Sequence, residues 1–273
     1  MSDKILTFLH SGACGDCIAA MSTVKELCEK ESAKAVLVLD PTGGFQCNDD
    51  ALNSLIEKQT QGRGYAFSEK EISFLKPLLE VQPYVSKVVT WNQNLQLPID
   101  YNLNEMRRTC QKPEVLNRTN QNLELLYRAT FGLEETTKVP WLFLDKTDDS
   151  HRFKRDIVIA RSTRYQSAHL WFAIHSGVLK KNASFIGTRF EHEVFKNALL
   201  FEPDFIDCHN SALEAAKAIM SSNVFISNGT LMYWIGVGLG HKNIINELGV
   251  DIPTTYYKNS KNISFIQGGR MFK

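Results

Sequence analysis

Near the start of the chain one glycine turn carries two thiols and a carboxylate: His10-Ser11-Gly12-Ala13-Cys14-Gly15-Asp16-Cys17. Two chemistries compete for it. Cys14-x-x-Cys17 at a helix start is the pattern of a thiol–disulfide oxidoreductase, because a helix N-terminus lowers a thiol pKa. Gly-x-x-Gly-Asp is instead a turn that brings Asp16 to the edge of a sheet as a general base, with His10, Ser11, Gly12 and Gly15 forming its backbone and acceptor side. Gly12 and Gly15 allow positive φ and close approach of another molecule. Aspartate also caps helices, but Ala19 stands where a capping box would place Glu or Gln. A helix N-terminus weakens an aspartate as a base, so Asp16 needs a desolvated site to regain basicity.

A second set of polar residues lies in the other half. Arg161-Ser162-Thr163-Arg164 follows an apolar run, Gly187-Thr188 precedes Glu191, and Asn228-Gly229-Thr230-Leu231 follows another apolar run. Cations directly after a strand sit where a doubly wound domain holds anionic ligands. Between Lys146 and Lys196 ten Lys/Arg face five acids. Lys180-Lys181 reads as a solvated basic face, whereas Arg161 and Arg164 read as ligand-facing. The chain contains no Asp-x-Asp, an acidic pattern that holds divalent metals. An anionic ligand there would then draw its positive charge from protein groups.

These residues need strands and helices to present them, and the pattern supplies both. Lys4 to Leu9 reads as a strand and Ile18 to Lys30 as an amphipathic helix with Cys17, Ile18, Met21, Val24 and Cys28 on its apolar face. Ala33 to Asp40 is a second strand. Residues 45 to 68 read as a helix plus loop. Ser68 and Glu71 form a capping box for a helix burying Ile72, Leu75, Leu78 and Leu79. Val85 to Trp91 is a strand, Ile99 to Asn104 a loop, Met106 to Thr119 a polar stretch, and Asn122 to Phe131 a helix stopped by Gly132. The polar run Asp145 to Lys154 marks a boundary, giving domains 1–147 and 148–273.

The same grammar restarts after it. Strands are expected at Asp156 to Ala160, Ala183 to Gly187 and Asn223 to Ser227. Helices are expected at His169 to Ser176, Phe190 to Leu199, Ser211 to Ser221 (Leu213, Ala216, Ile219 and Met220 inward) and Leu231 to Leu239. Residues 251–273 show no clear pattern. Alternation of this kind predicts an α/β protein of two doubly wound, Rossmann-like domains with a cleft between them.

Composition narrows the functions. The 273 residues suffice for two domains, with 43% hydrophobic and 22% charged residues, as in an ordinary globular protein. A formal net charge of +1 excludes a global attraction to nucleic acid or anionic membrane. No apolar run is long enough for a signal-peptide core or a transmembrane span. Six cysteines without framework spacing suit reduced thiols, so a cytoplasmic setting is expected, bacterial or in a virus-infected host. No His/Cys/Asp/Glu spacing defines a metal site, and the tryptophans read as core.

The turn His10 to Asp16 with its following helix, Phe185-Ile186-Gly187-Thr188 with Glu191, and Phe225 to Leu231 together resemble the heptosyltransferase-like glycosyltransferases, glycosyltransferase family nine. The resemblance touches both halves in the family's order. It implies the GT-B fold and inverting sugar transfer from a nucleotide-sugar co-substrate, with no metal and no other cofactor. Position by position, it implies that Asp16 is the base that deprotonates the acceptor hydroxyl and that Ser162 and Thr163 form the donor loop. It further implies that Glu191, beside Thr188, grips the nucleoside and that Asn228, Gly229, Thr230 and Leu231 receive the diphosphate. Asn228-Gly229-Thr230 replaces the family's Asp-Ser/Thr-Gly, Tyr233 stands near a family histidine, and a lysine after the donor loop is absent; these departures bear on which sugar and nucleotide are used. The family points to a saccharide acceptor such as lipopolysaccharide core. The tract Arg107-Arg108, Lys112 and Arg118 admits a second acceptor, a hydroxylated base in phage-type modified DNA. A thiol–disulfide oxidoreductase and a non-catalytic nucleotide-binding protein are the readings from other classes. Oligomeric state has no sequence signature here.

Overall fold

The computed structural model describes residues 4–42, 66–92, 94–137, 139–145, 154–164, 166, 183–248, 253–257, 260–267 and 270–272. The helix and loop expected over 45–68, the helix expected over His169 to Ser176, and Lys180, Lys181 and Trp171 lie wholly or mostly outside these residues. The chain divides into two compact units, Met1–Phe143 and Leu144–Lys273, each built on its own sheet.

In the first unit four parallel strands, β1 (Lys4–His10), β2 (Ala33–Leu39), β3 (Val85–Thr90) and β4 (Tyr101–Asn102), lie in the order β3-β2-β1-β4. Helix α1 spans Cys14–Glu31 and buries Cys17, Ile18, Met21, Val24 and Cys28, the expected apolar face. It ends on Ser32, whose left-handed backbone (φ 49°) lets its N–H reach the carbonyls of Cys28 and Glu29. α2 (Glu69–Glu80) carries the Ser68/Glu71 capping box and buries Ile72, Leu75, Leu78 and Leu79. The stretch read as loop and polar tract is more ordered than its composition suggests. It holds β4, a 3₁₀ turn at Leu103–Glu105, and two short helices, α3 (Met106–Thr109) and α4 (Pro113–Thr119). α5 (Leu123–Thr130) follows, capped by the Asn122 side chain, which accepts from the Leu125 N–H at 3.1 Å.

The second unit is a seven-stranded sheet in the order β11-β10-β9-β8-β5-β6-β7, parallel except for the last hairpin. Its strands are β5 (Arg155–Ala160), β6 (Ala183–Phe185), β7 (Asp204–Phe205), β8 (Ser222–Ser227), β9 (Ile244–Glu247), β10 (Ile263–Gln267) and β11 (Arg270–Phe272). Helices α6 (Arg189–Leu199), α7 (Ala212–Met220) and α8 (Leu231–Gly238) cover it. α7 departs from expectation: Ala212, Ala215, Ala216, Ala218 and Ile219 are buried, while Met220 is exposed and Leu213 only half-buried. A small-residue face packs close to β8 and α8, and a leucine there would hold them apart. Strands β10 and β11 give the tail a role that its sequence pattern does not announce, and Ile263, Phe265 and Ile266 extend the core.

Both sheets contain a topological switch. In the first unit β1 has β2 on one side and β4 on the other. In the second, the chain runs from β5 outward through β6 and β7, then returns to β8 on the opposite flank of β5. The crevice outside the carboxyl ends of the strands at such a switch is where doubly wound domains bind ligands.

Candidate active site

At the first switch the chain leaves β1 through Ser11, Gly12 and Ala13. Gly12 has φ 141°, so the turn depends on it. The helix begins at Cys14, four residues earlier than expected, which places Gly15 in its first turn, where no positive φ is required. Asp16 is not the cap. Ala13 is, without a side-chain bond, and Asp16 lies in the first turn, where the helix dipole favours a carboxylate. Its Oδ2 accepts from the Arg107 guanidinium, projected from α3, and the two side chains are 18% and 15% exposed. The pair is therefore reachable from solvent but well shielded from it.

Behind this pair the floor is buried. The Ser11 N–H donates to Asn104 Oδ1 at 3.0 Å, joining the two lips of the switch. His10 is buried, with Nε2 2.9 Å from the Tyr127 hydroxyl and its ring against Phe67 and Tyr127. Burial, and then the nearby Arg107 charge, push its pKa down to about 3, so His10 is a neutral imidazole. Burial also raises the Tyr127 phenol well above its ordinary value, the Asp16 carboxylate adding to the effect.

The thiols behave oppositely to a redox pair. Burial pushes the Cys17 pKa up to about 12, with the neighbouring Asp16 charge contributing. Cys14 rises too, mainly by burial and then by Glu71. The lowering expected from the helix N-terminus is overridden by desolvation, and both cysteines are free thiols.

At the second switch β5 and β8 end side by side, Ala160 paired with Ser227. Arg161 does not face a ligand in the way its position after a strand suggests. It is 4% exposed at the side chain and forks onto Glu247 of β9, at 2.6 and 2.8 Å. Ser162 is half-buried, while Thr163 and Arg164 are exposed. Asn228 is fully buried. Its Oδ1 accepts from the Ser162 N–H at 3.1 Å, and its Nδ2 donates to the carbonyls of Ser162 at 2.9 Å and Arg164 at 2.5 Å. Gly229 has φ +67°, and its N–H donates to Asn246 Oδ1 at 2.8 Å, so this amide points into the protein. Asn246 Nδ2 in turn donates to Thr255 Oγ1 at 3.1 Å. Thr230 begins α8 without a side-chain cap, leaving Leu231 in the first turn of an uncapped helix. Tyr233 is buried, its hydroxyl donating to the Thr255 carbonyl at 2.6 Å.

Thr188 and Glu191 follow β6 at the same edge of the sheet and form a capping box for α6. Glu191 Oε2 accepts from the Thr188 N–H and hydroxyl, each at 2.8 Å, and the Glu191 N–H donates to Thr188 Oγ1 at 3.1 Å. Thus the structure collects Arg161–Arg164 and Asn228–Leu231 at one crevice and gives Arg161, Asn228 and Gly229 inward-facing roles there. Asn104, Tyr127, Asn246, Thr255 and Glu247 are members of these sites that no sequence motif singles out, and Arg107, read in the sequence as part of a basic tract, is here the partner of Asp16. Three cations of the basic tract are paired with carboxylates: Arg107 with Asp16, Arg108 with Glu105, and Arg118 with Glu135. Among the described residues no group of three or more His, Cys, Asp or Glu could hold a metal ion, and no helix is long and apolar enough to cross a membrane.

No protein-family model and no curated protein matches the sequence. Solved structures do. The glycosyl transferase family 9 protein of Veillonella parvula DSM 2008 superposes with a TM-score of 0.62 at 12% identity, covering 100% of this chain and 90% of its own. E. coli ADP-heptose lipopolysaccharide heptosyltransferase II gives 0.53 at 10% identity over 96% and 90%. The iron-containing dodecameric glycosyltransferase TibC from enterotoxigenic E. coli H10407 gives 0.52 at 10% over 98% of this chain, which spans 64% of TibC. The chain thus has the GT-B-like α/β fold of the glycosyltransferase family nine structures, as its motifs led one to expect.

Proposed function

We propose that the protein is an inverting glycosyltransferase that moves a sugar from a nucleotide-sugar donor to an acceptor hydroxyl, with a saccharide as acceptor. The observation that carries this reading is the shielded Asp16 carboxylate at the switch point of the first unit, on the fold shared with family nine structures. Asp16 takes the proton of the acceptor hydroxyl as that oxygen attacks the anomeric carbon, and the nucleoside diphosphate leaves from the opposite face. Ser11, Gly12 and the first turn of α1 form the wall along which the acceptor lies. Neutral His10 and Tyr127 close the floor without adding a competing charge near Asp16.

The second unit holds the donor. Exposed Arg164, the Ser162-Thr163 loop and the uncapped start of α8 at Thr230 and Leu231 supply positive potential and amide donors to the diphosphate. Thr188 and Glu191 border the nucleoside. Departure of the diphosphate draws on these protein groups, so transfer is expected to be independent of divalent metal. The similar dodecameric heptosyltransferase TibC has been solved in complex with ADP-D-beta-D-heptose, which is consistent with a nucleotide-sugar donor here. The pairing of Arg107, Arg108 and Arg118 with carboxylates favours a saccharide over DNA, since paired cations offer a polyanion less.

The test is a panel of nucleotide sugars scored first for slow hydrolysis and then for transfer to saccharide and hydroxymethylated-DNA acceptors, before and after EDTA treatment. Asp16→Asn should lower transfer ~10²–10⁴-fold, the range of a lost general base, while donor binding stays within twofold. Transfer by Asp16→Asn at the parental rate would overturn the assignment of the base. Activity lost to EDTA and restored by a divalent ion would overturn metal independence.

A further inference from the structure

Asn228 occupies a position where the family resemblance implies a ligand-contacting residue, yet its side chain is fully buried and each of its bonds goes to the neighbouring loop. Its carboxamide acts as both acceptor and donor. Oδ1 takes the Ser162 N–H, and Nδ2 serves two carbonyls, Ser162 and Arg164. A carboxamide offers two N–H donors and an acceptor oxygen together, where a hydroxyl has one donor and a carboxylate none. The two segments it joins are the lips of the β5/β8 switch-point crevice. On the other side of the same turn a second buried asparagine, Asn246, takes the Gly229 N–H and anchors to Thr255. A Cβ on Gly229 would lie 3.1 Å from Thr255 Cγ2, so the turn is seated directly on this anchor.

We infer that Asn228 is a positioning residue of the donor site, which fixes the Arg161–Arg164 loop to the Asn228–Leu231 turn and so sets the width of the crevice that receives the nucleoside diphosphate. It touches no ligand itself. Asn246 and Thr255 hold the turn from beneath, so the crevice is built before the ligand arrives rather than closed around it. This inference rests on the nucleotide-sugar reading for the identity of the ligand; the clamp itself rests on hydrogen bonds within one unit. It also accounts for asparagine where the family has aspartate. With two carbonyls and one N–H to satisfy, the loop of this chain needs a donor that aspartate lacks.

The experiment is a calorimetric titration of the parent protein and of Asn228→Asp with ADP, GDP, UDP and CDP, at pH 8 and pH 5.5. For the diphosphate that the parent binds most tightly, the variant should bind at least tenfold more weakly at pH 8, because a carboxylate faces two carbonyls. At pH 5.5 protonation restores one O–H donor, and the ratio of variant to parent Kd should narrow at least threefold. The charged side chains on the adjoining segments, Arg161 with its partner Glu247 and Arg164, are common to both proteins, so the ratio isolates position 228. A smaller loss at pH 8, or a ratio that does not narrow, overturns the inference. A parent that binds none of the four diphosphates overturns the nucleotide reading instead. Should the variant not fold, hydrogen exchange on the parent decides the matter. The Ser162 amide should be protected at least a hundredfold over its intrinsic rate, and exchange near that rate overturns the clamp.

Discussion

The two switch points are built from the same parts and put them to different uses. After β1, the Ser11 N–H is taken by the side chain of Asn104; after β5, the Ser162 N–H is taken by the side chain of Asn228. Each crevice also holds an arginine–carboxylate pair, Arg107 with Asp16 and Arg161 with Glu247. The difference is burial. In the first unit the pair is 15% and 18% exposed, whereas in the second it is 4% and 0% exposed. A carboxylate that meets an incoming molecule can do chemistry, while a sealed one can only hold its arginine. The comparison teaches that position after a strand identifies the crevice, and that burial then separates groups a ligand can reach from scaffold.

The largest effect that could break this contrast is on stability. Arg161→Ala leaves Glu247 buried without its fork and should cost about 3–5 kcal/mol. Arg107→Ala releases Asp16 to a partly solvated environment and should cost about 1 kcal/mol or less, with its larger consequence on transfer. Urea unfolding of both variants checks this. Similar losses for the two would mean that the pairs are alike and that Asp16 is scaffold too.

A second contrast uses two buried histidines that burial makes less basic, His10 in the first unit and His241 in the second. His10 is held down to about 3 from an ordinary 6.5, by burial and then by Arg107, and His241 is lowered by burial against opposing backbone hydrogen bonds. In both cases the unfolded chain binds the proton more readily than the folded one. Their contribution is therefore complete above pH 6.5 and is lost as pH falls toward the folded pKa. For His10 the loss reaches on the order of 4 kcal/mol near pH 3, from ~1.36 kcal/mol per unit. The difference in urea-unfolding free energy between parent and His10→Gln, followed from pH 7 to pH 4, should shrink as pH falls. A difference constant with pH would show that His10 titrates normally and that the floor beneath Asp16 is wet.

What could be read in the sequence follows from the range of the interactions. Helix α1 announces its buried face through the spacing of Cys17, Ile18, Met21, Val24 and Cys28, and α2 announces its start through Ser68 and Glu71; these are contacts within a turn or two. The two-residue strand Tyr101–Asn102 has no pattern to show, because its pairing with Phe8 and Leu9 alone makes it a strand. For α7 the helix is legible but its inward face only in part: Ala216 and Ile219 are buried as expected, whereas Met220 is exposed, Leu213 is half-buried, and Ala212, Ala215 and Ala218 take the interior. At the sites, Asp16, Ser162 and Asn228 stand out through their places beside strands and glycines. The pairing of Arg107 with Asp16 and the seat that Asn246 gives Gly229 do not, since the partners lie 91 and 17 residues apart.

The smallest contrast concerns the glycines. Gly15 and Gly229 both look like turn residues, but Gly15 lies within the first turn of α1 while Gly229 has φ +67° and sits against Thr255. Alanine at position 15 reduces the entropy of the unfolded chain and suits a helix, so Gly15→Ala should be neutral or stabilising by up to ~1 kcal/mol. Alanine at position 229 must hold a left-handed backbone at a cost of ~1–2 kcal/mol and crowd Thr255 as well. Thermal unfolding of the two variants therefore should move in opposite directions or differ by several degrees. Were Gly15→Ala the more damaging, the turn at Asp16 would depend on close approach to that glycine rather than on the φ of Gly12. The acceptor wall would then have to be drawn one helical turn further along α1.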